Sequence, residues 1–173
     1  MLFRSVHDLR SRISFMSQDP VLFSGTVRSN LNYASNNSDS ILEDALRQVH
    51  LLADSGDNKF TLDSNISAGG NNLSQGQKQL LCLARILIEK PKIMVLDEAM
   101  SAVDKETDRL VQDGIKNIFT GMMLVVAHRL STVATFDRIA VIDAGKIVEW
   151  GSPQELFNQH GHFWQLIDRK SVV

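Results

Sequence analysis

Leu73-Ser74-Gln75-Gly76-Gln77 opens an apolar segment that runs to Lys90, and Lys92-Ile93-Met94-Val95-Leu96-Asp97-Glu98 follows it, ahead of Ala99-Met100-Ser101-Ala102-Val103-Asp104. The first part is a short Ser/Gly turn at a helix start. Such a turn leaves backbone N–H groups unpaired at the positive end of the helix dipole, an arrangement suited to a phosphate. The second part is a run of β-type apolar residues that stops on two carboxylates. A strand ending in Asp-Glu carries negative charge to the edge of a sheet, where Mg²⁺ and a water can be handled. Asp97 and Glu98 are adjacent, so on a strand they face opposite ways and can serve different tasks.

Working outward, Gln77 to Ile88 is apolar on most faces, which predicts a helix buried nearly all round. Ser74 is its N-cap, a role worth about 1 kcal/mol, and the cap geometry is what makes an anion site. Pro91 disfavours a helical Lys90 and stops the helix. Ile93–Leu96 reads as a fully buried strand. Asp104 is placed to cap a helix over Lys105–Ile118. Met122 to Ala127 reads as the next buried strand, with His128 just past its end.

Upstream, Arg12 to Ser17 predicts a short strand, ended at Gln18-Asp19-Pro20 because Pro20 lacks an N–H and restricts Asp19. Thr26 is a candidate cap for a short helix carrying Val27 and Leu31. Ser40 with Glu43 matches a capping box, and Ile41 to Leu52 reads as an amphipathic helix. The stretch from Ala53 to Gly70 reads as irregular. Downstream, Asp137–Ile142 and Lys146–Trp150 predict a hairpin around Asp143-Ala144-Gly145. Ser152-Pro153 starts a helix through Phe157, and Phe163, Trp164, Leu166 and Ile167 mark a last one. His7, His50, His160 and His162 read as surface or packing residues.

These motifs, in this order and spacing, resemble the nucleotide-binding domain of ATP-binding-cassette (ABC) transporters. Leu73–Gln77 looks like the signature motif, Ile93–Glu98 like the Walker B strand with its catalytic glutamate, and Ser101–Asp104 like the D-loop. Arg10–Pro20 looks like the Q-loop region, and His128 like the switch histidine. Leu22–Leu31 is close to exporter-type cassettes of the multidrug-resistance-associated subfamily (subfamily C), and the whole is most like the C-terminal part of a second nucleotide-binding domain. Two departures are visible. Gln75 stands where Gly is commoner, as it also does in that subfamily, and Met100 replaces a small hydroxylated residue.

The resemblance implies an α/β fold, P-loop NTPase-like, with a helical signature subdomain over about residues 19–90 and the Walker B, D-loop and switch elements over about 91–173. It also implies ATP and Mg²⁺. Ser74, Gln75 and Gly76 would address nucleotide across a head-to-tail dimer with a second nucleotide-binding domain, to which Asp104 would also contribute. Gln18 and Asp97 would serve Mg²⁺, Glu98 would be the general base, and His128 would contact the γ-phosphate. Further expected partners are the transmembrane domains of an exporter, placing the chain at the cytosolic face of a membrane.

No G-x-x-x-x-G-K-[ST] occurs among the 173 residues. That loop wraps phosphates with backbone N–H groups and one lysine, so the fold is expected to be incomplete and the chain inactive by itself. A non-enzymatic half-site or remnant is the alternative. A soluble DNA-repair ATPase fits poorly, because a net charge of −2 gives no electrostatic footprint for nucleic acid. Cys82 is the single cysteine and suits a reducing compartment. No segment approaches the roughly 20 apolar residues a membrane span needs.

Overall fold

The structure is a computed structural model that describes residues 5–17, 19–33, 36–52, 60–97, 115, 119–126, 133 and 135–170. It divides into two compact units, Met1–Val126 and Ala127–Val173.

The first unit is built on three parallel strands, β1 (Ile13–Met16), β4 (Ile93–Asp97) and β5 (Met122–Val126), in the order β1-β4-β5. Parallel neighbours need long crossovers. The one from β1 to β4 contains a two-stranded ribbon, β2 (Gly25–Thr26) with β3 (Asn65–Ile66), and helices α2 (Val27–Leu31), α3 (Asp39–Gln48) and α4 (Gln75–Glu89). A further short helix, α1 (Val6–Arg10), precedes β1.

Strand register separates the two faces of the sheet. Met16, Leu96 and Val125 are aligned across it, as are Ser14, Met94 and Met123. Met16, Met94 and Leu96 are buried in the core, with Met123 and Val125 packed against it. On the opposite face Phe15, Val95 and Leu124 form a row. Here Phe15 is 60% exposed and Leu124 59%. The expectation of fully buried strands is therefore corrected. Ile93–Leu96 alternates between half-buried and buried, and Met122–Val126 between exposed and half-buried. The apolar runs suggested cover on both faces, whereas cover depends on what packs there.

Helical packing follows the sequence more closely. Leu42 and Leu46 of α3, Val27 of α2, and Leu81, Leu83 and Ala84 of α4 are all fully buried in one core. Helix α3 begins earlier than Ser40 suggested. Ser38 is its N-cap and makes no side-chain cap bond. Ser40 Oγ meets Ser38 Oγ at 3.0 Å, while Glu43 pairs with Arg47. The helix ends at Gln48 rather than Leu52; His50 takes a positive φ of 55° and the Leu51 N–H folds back to Leu46 O. Two elements inside the stretch read as irregular were not anticipated: β3, and a 3₁₀ turn at Ala68–Gly70. Both are shorter than any periodic pattern can reveal.

The second unit contains the hairpin β6 (Ile139–Asp143) and β7 (Lys146–Gly151), then α5 (Pro153–Asn158) and α6 (His162–Lys170). Ala144 and Gly145 both adopt positive φ, 45° and 76°, as a two-residue hairpin turn of matched twist requires. Ser152 and Glu155 close a capping box on α5, with Pro153 in its first turn. Hydrogen bonds donated to it by the Ser152 backbone and side chain hold the Glu155 carboxyl below the usual carboxylate range. Glu149 of β7 accepts the His162 and Phe163 N–H groups and so caps α6. Leu156 and Phe163 are buried here, while His160 sets its ring edge against Trp164.

Candidate functional site

The first turn of α4 is shaped by a reciprocal cap. Ser74 Oγ accepts the Gln77 N–H at 3.1 Å, and Gln77 Oε1 accepts the Ser74 N–H at 2.9 Å. The loop before it is fastened to itself. Asn72 Oδ1 accepts from the Ser67 N–H and hydroxyl, Ser67 Oγ accepts the Asn72 N–H, and Asn72 Nδ2 donates to Asn65 O at 2.7 Å. Gly70, at φ 67°, brings this loop close to Leu22. A Cβ there would lie 2.9 Å from Leu22 Cδ1, so any other residue would strain the backbone and displace the Leu22 side chain. Ser74 and Gln75 are left exposed and Gly76 half-buried. A fixed turn with exposed N–H groups at a helix start needs no reorganisation to meet an anion.

Asp97 ends β4 on the sheet face that also carries Val95 and is half-buried. It pairs in register with Val126, the last residue of β5. Among the described residues no group of three or more His, Cys, Asp or Glu side chains is placed to hold a metal ion. One carboxylate at a strand end fits Mg²⁺, which is usually held by one or two carboxylates together with substrate phosphates and water.

Gln18, Glu98, Asp104 and His128 lie outside the described residues. The strands before three of them are in place. β1 ends at Met16, β4 at Asp97 and β5 at Val126, so each parallel strand stops one or two residues before Gln18, Glu98 or His128. Carboxyl ends of parallel strands are where open α/β sheets place ligands.

A second feature was missed by sequence reasoning. Asn30, fully buried, fastens the loop before α2: the Phe23 N–H donates to its Oδ1 at 2.9 Å, and its Nδ2 donates to Phe23 O at 2.8 Å and Thr26 O at 3.0 Å. Arg85 of α4 donates from Nε to Asn30 O at 2.8 Å, and from its fork to Asn30 Oδ1 and Val21 O, each at 3.3 Å. Its guanidinium also lies 5.4 Å from the centre of the Tyr33 ring. Val21, Phe23 and Tyr33 are exposed around this network. The available signal was Arg85 itself, the one charge inside an otherwise apolar helix segment.

Beside it, burial pushes the Cys82 thiol above its ordinary range, with the nearby Arg85 charge opposing.

Comparison with known proteins joins these features. The sequence profile of the ABC transporter family matches residues 1–101. The mouse protein "ATP-binding cassette sub-family C member 2" is 47% identical over 168 residues, which is 96% of this chain and 11% of that protein. Its human counterpart is 46% identical over 92% of this chain and 10% of its own length. The fission-yeast (Schizosaccharomyces pombe) "ATP-binding cassette transporter abc4" is 40% identical over 98% of this chain and 12% of its own. Among solved structures, a bacterial Atm1-family ABC exporter with ATP bound superimposes with a TM-score of 0.87 and 29% identity, covering 95% of this chain and 29% of that one. The chain thus spans about a tenth of the length of these curated relatives. With its mixed α/β fold, it belongs to the ABC transporter family, and its sequence is that of a subfamily C nucleotide-binding domain.

Proposed function

We propose that this chain is the C-terminal part of the second nucleotide-binding domain of an exporter, working with ATP and Mg²⁺ at the cytosolic face of a membrane. The observations that carry this reading are the exposed Ser74 cap at the start of a buried helix and the next strand in the sequence, which is parallel to its neighbours and ends on Asp97. In this reading about residues 19–90 form the helical subdomain and about 91–173 the Walker B, D-loop and switch part.

Ser74, Gln75 and Gly76 offer a hydroxyl and backbone N–H groups to a nucleotide held by a partner domain in a head-to-tail pair. Asp104 contributes to that contact. Asp97 and Gln18 hold Mg²⁺, which supplies charge neutralisation on the phosphates. Glu98 takes the proton of the attacking water, and His128 holds the γ-phosphate. Val21, Phe23 and Tyr33 offer apolar contact to the transmembrane domains.

By itself, without a phosphate-wrapping loop, the chain neither binds ATP tightly nor hydrolyses it. Isothermal titration and a phosphate-release assay check this; turnover near about 1 s⁻¹ would overturn it. In a complete exporter carrying this domain, Glu98→Gln leaves ATP binding intact and collapses turnover. Unchanged turnover removes Glu98 from the role. A second reading, a non-enzymatic half-site, rests on the exposed Ser74 cap alone; co-purification with a complete, ATP-loaded cassette supports it, and failure to co-purify overturns it.

A further inference from the structure

Helix α4 begins at Ser74 and carries Arg85 three turns further on. Every hydrogen bond described for Arg85 goes to a carbonyl oxygen of the Val21–Asn30 segment, not to a carboxylate. The fork reaches both ends of that segment at once, while Tyr33 lies under the guanidinium face. Asn30, held by the same fork, in turn accepts and donates at Phe23. Closer to Ser74, Gly70 lets the pre-helix loop touch Leu22. The exposed side chains of Val21, Phe23 and Tyr33 are therefore tied to α4 through one guanidinium and one carboxamide.

We propose that Arg85 is a positioning residue: its fork makes the Val21–Phe23–Tyr33 surface a rigid attachment of α4, so that a shift of the helix bearing Ser74 is delivered to that surface. The role of the surface in meeting transmembrane domains rests on the function proposed above; the attachment itself does not. A planar fork with several fixed donors spans three carbonyl oxygens, and a lysine ammonium, a point charge on a flexible stem, does not. Arg85→Lys keeps the charge and removes the clamp.

Hydrogen exchange of the 173-residue chain tests the attachment. In Arg85→Lys the Phe23 amide exchanges about tenfold faster or more, while the α4 amides from Leu80 to Ala84 keep their protection. Exchange at Phe23 within about twofold of the parent, with α4 intact, overturns the proposal. If α4 also loses protection, Arg85→Gln decides, since it keeps a planar donor but lacks the length and the remaining donors of the fork. Phe23 exchange accelerated beyond that of the α4 amides supports the clamp, and acceleration equal to or below theirs overturns it. In a complete exporter carrying this domain, Arg85→Lys lowers transport per ATP hydrolysed by about fivefold or more while basal turnover holds. Transport and turnover falling in parallel overturns the coupling role. A parent exporter that hydrolyses no ATP refutes the proposed function instead and leaves the exchange result standing.

Discussion

The helical part of the first unit and its parallel sheet are both built from apolar runs, yet they use them differently. In α3 and α4 the apolar faces turn into a shared core, and Leu42, Leu46, Leu81 and Leu83 are fully buried. In the sheet, only alternate residues reach that core, and Phe15, Met122, Leu124 and Val126 stay exposed on the other face. The helices cover one another, α3 and α2 both packing on α4. A central strand needs two layers, and its sequence records the need without supplying the layer. Asp97 lies on that less covered face, where a carboxylate stays hydrated and can address a ligand.

The contrast can be broken by substitution. Leu83→Ala, in the buried part of α4, is expected to lower stability by about 2–5 kcal/mol, measured by urea unfolding. Leu124→Ala on the exposed sheet face should fall well short of that; a comparable loss would show the two regions to be equally dependent on packing. Asn30→Ala removes buried partners from Phe23 and Thr26 and is expected to cost about 1–3 kcal/mol by the same measurement. Ser74→Ala, which deletes the α4 cap but no core atom, should cost about 1 kcal/mol and raise exchange only in the first turn of the helix.

Smallest is a pH effect in the second unit. The folded Glu155 carboxyl is held below its unfolded pKa by Ser152. Its contribution is present above the unfolded pKa and disappears as pH falls through the folded value. The Glu155→Gln chain should therefore show a slightly flatter acid limb in its stability–pH curve, with the neutral end almost unchanged. An identical acid limb would remove this group from the balance.

Several elements were legible because their signals are local. Ser152-Pro153 with Glu155, and Asp143-Ala144-Gly145 between alternating runs, specify a cap and a turn within a few residues. The Ser74 cap belongs with them, although its reciprocal bond to Gln77 was not foreseen. Ser40 and Glu43 failed because a capping box is only a spacing, and Ser38 stands equally near the helix start. The β2–β3 pairing escaped because two-residue strands separated by two helices leave no periodic trace. Arg85 and Asn30 escaped for a related reason: they stand 55 residues apart in sequence and meet only when α2 packs on α4.

Residue order alone determined the family, the capped helix at Ser74 and the acidic end of β4, because each is written in contiguous positions with fixed chemistry. Tertiary structure decided which sheet face carries Asp97, why a side chain at Gly70 would displace Leu22, and that one arginine of α4 is bonded to the segment carrying Val21 and Phe23. Those outcomes depend on which distant segments come within a few ångströms of each other, and a linear pattern contains no such distance.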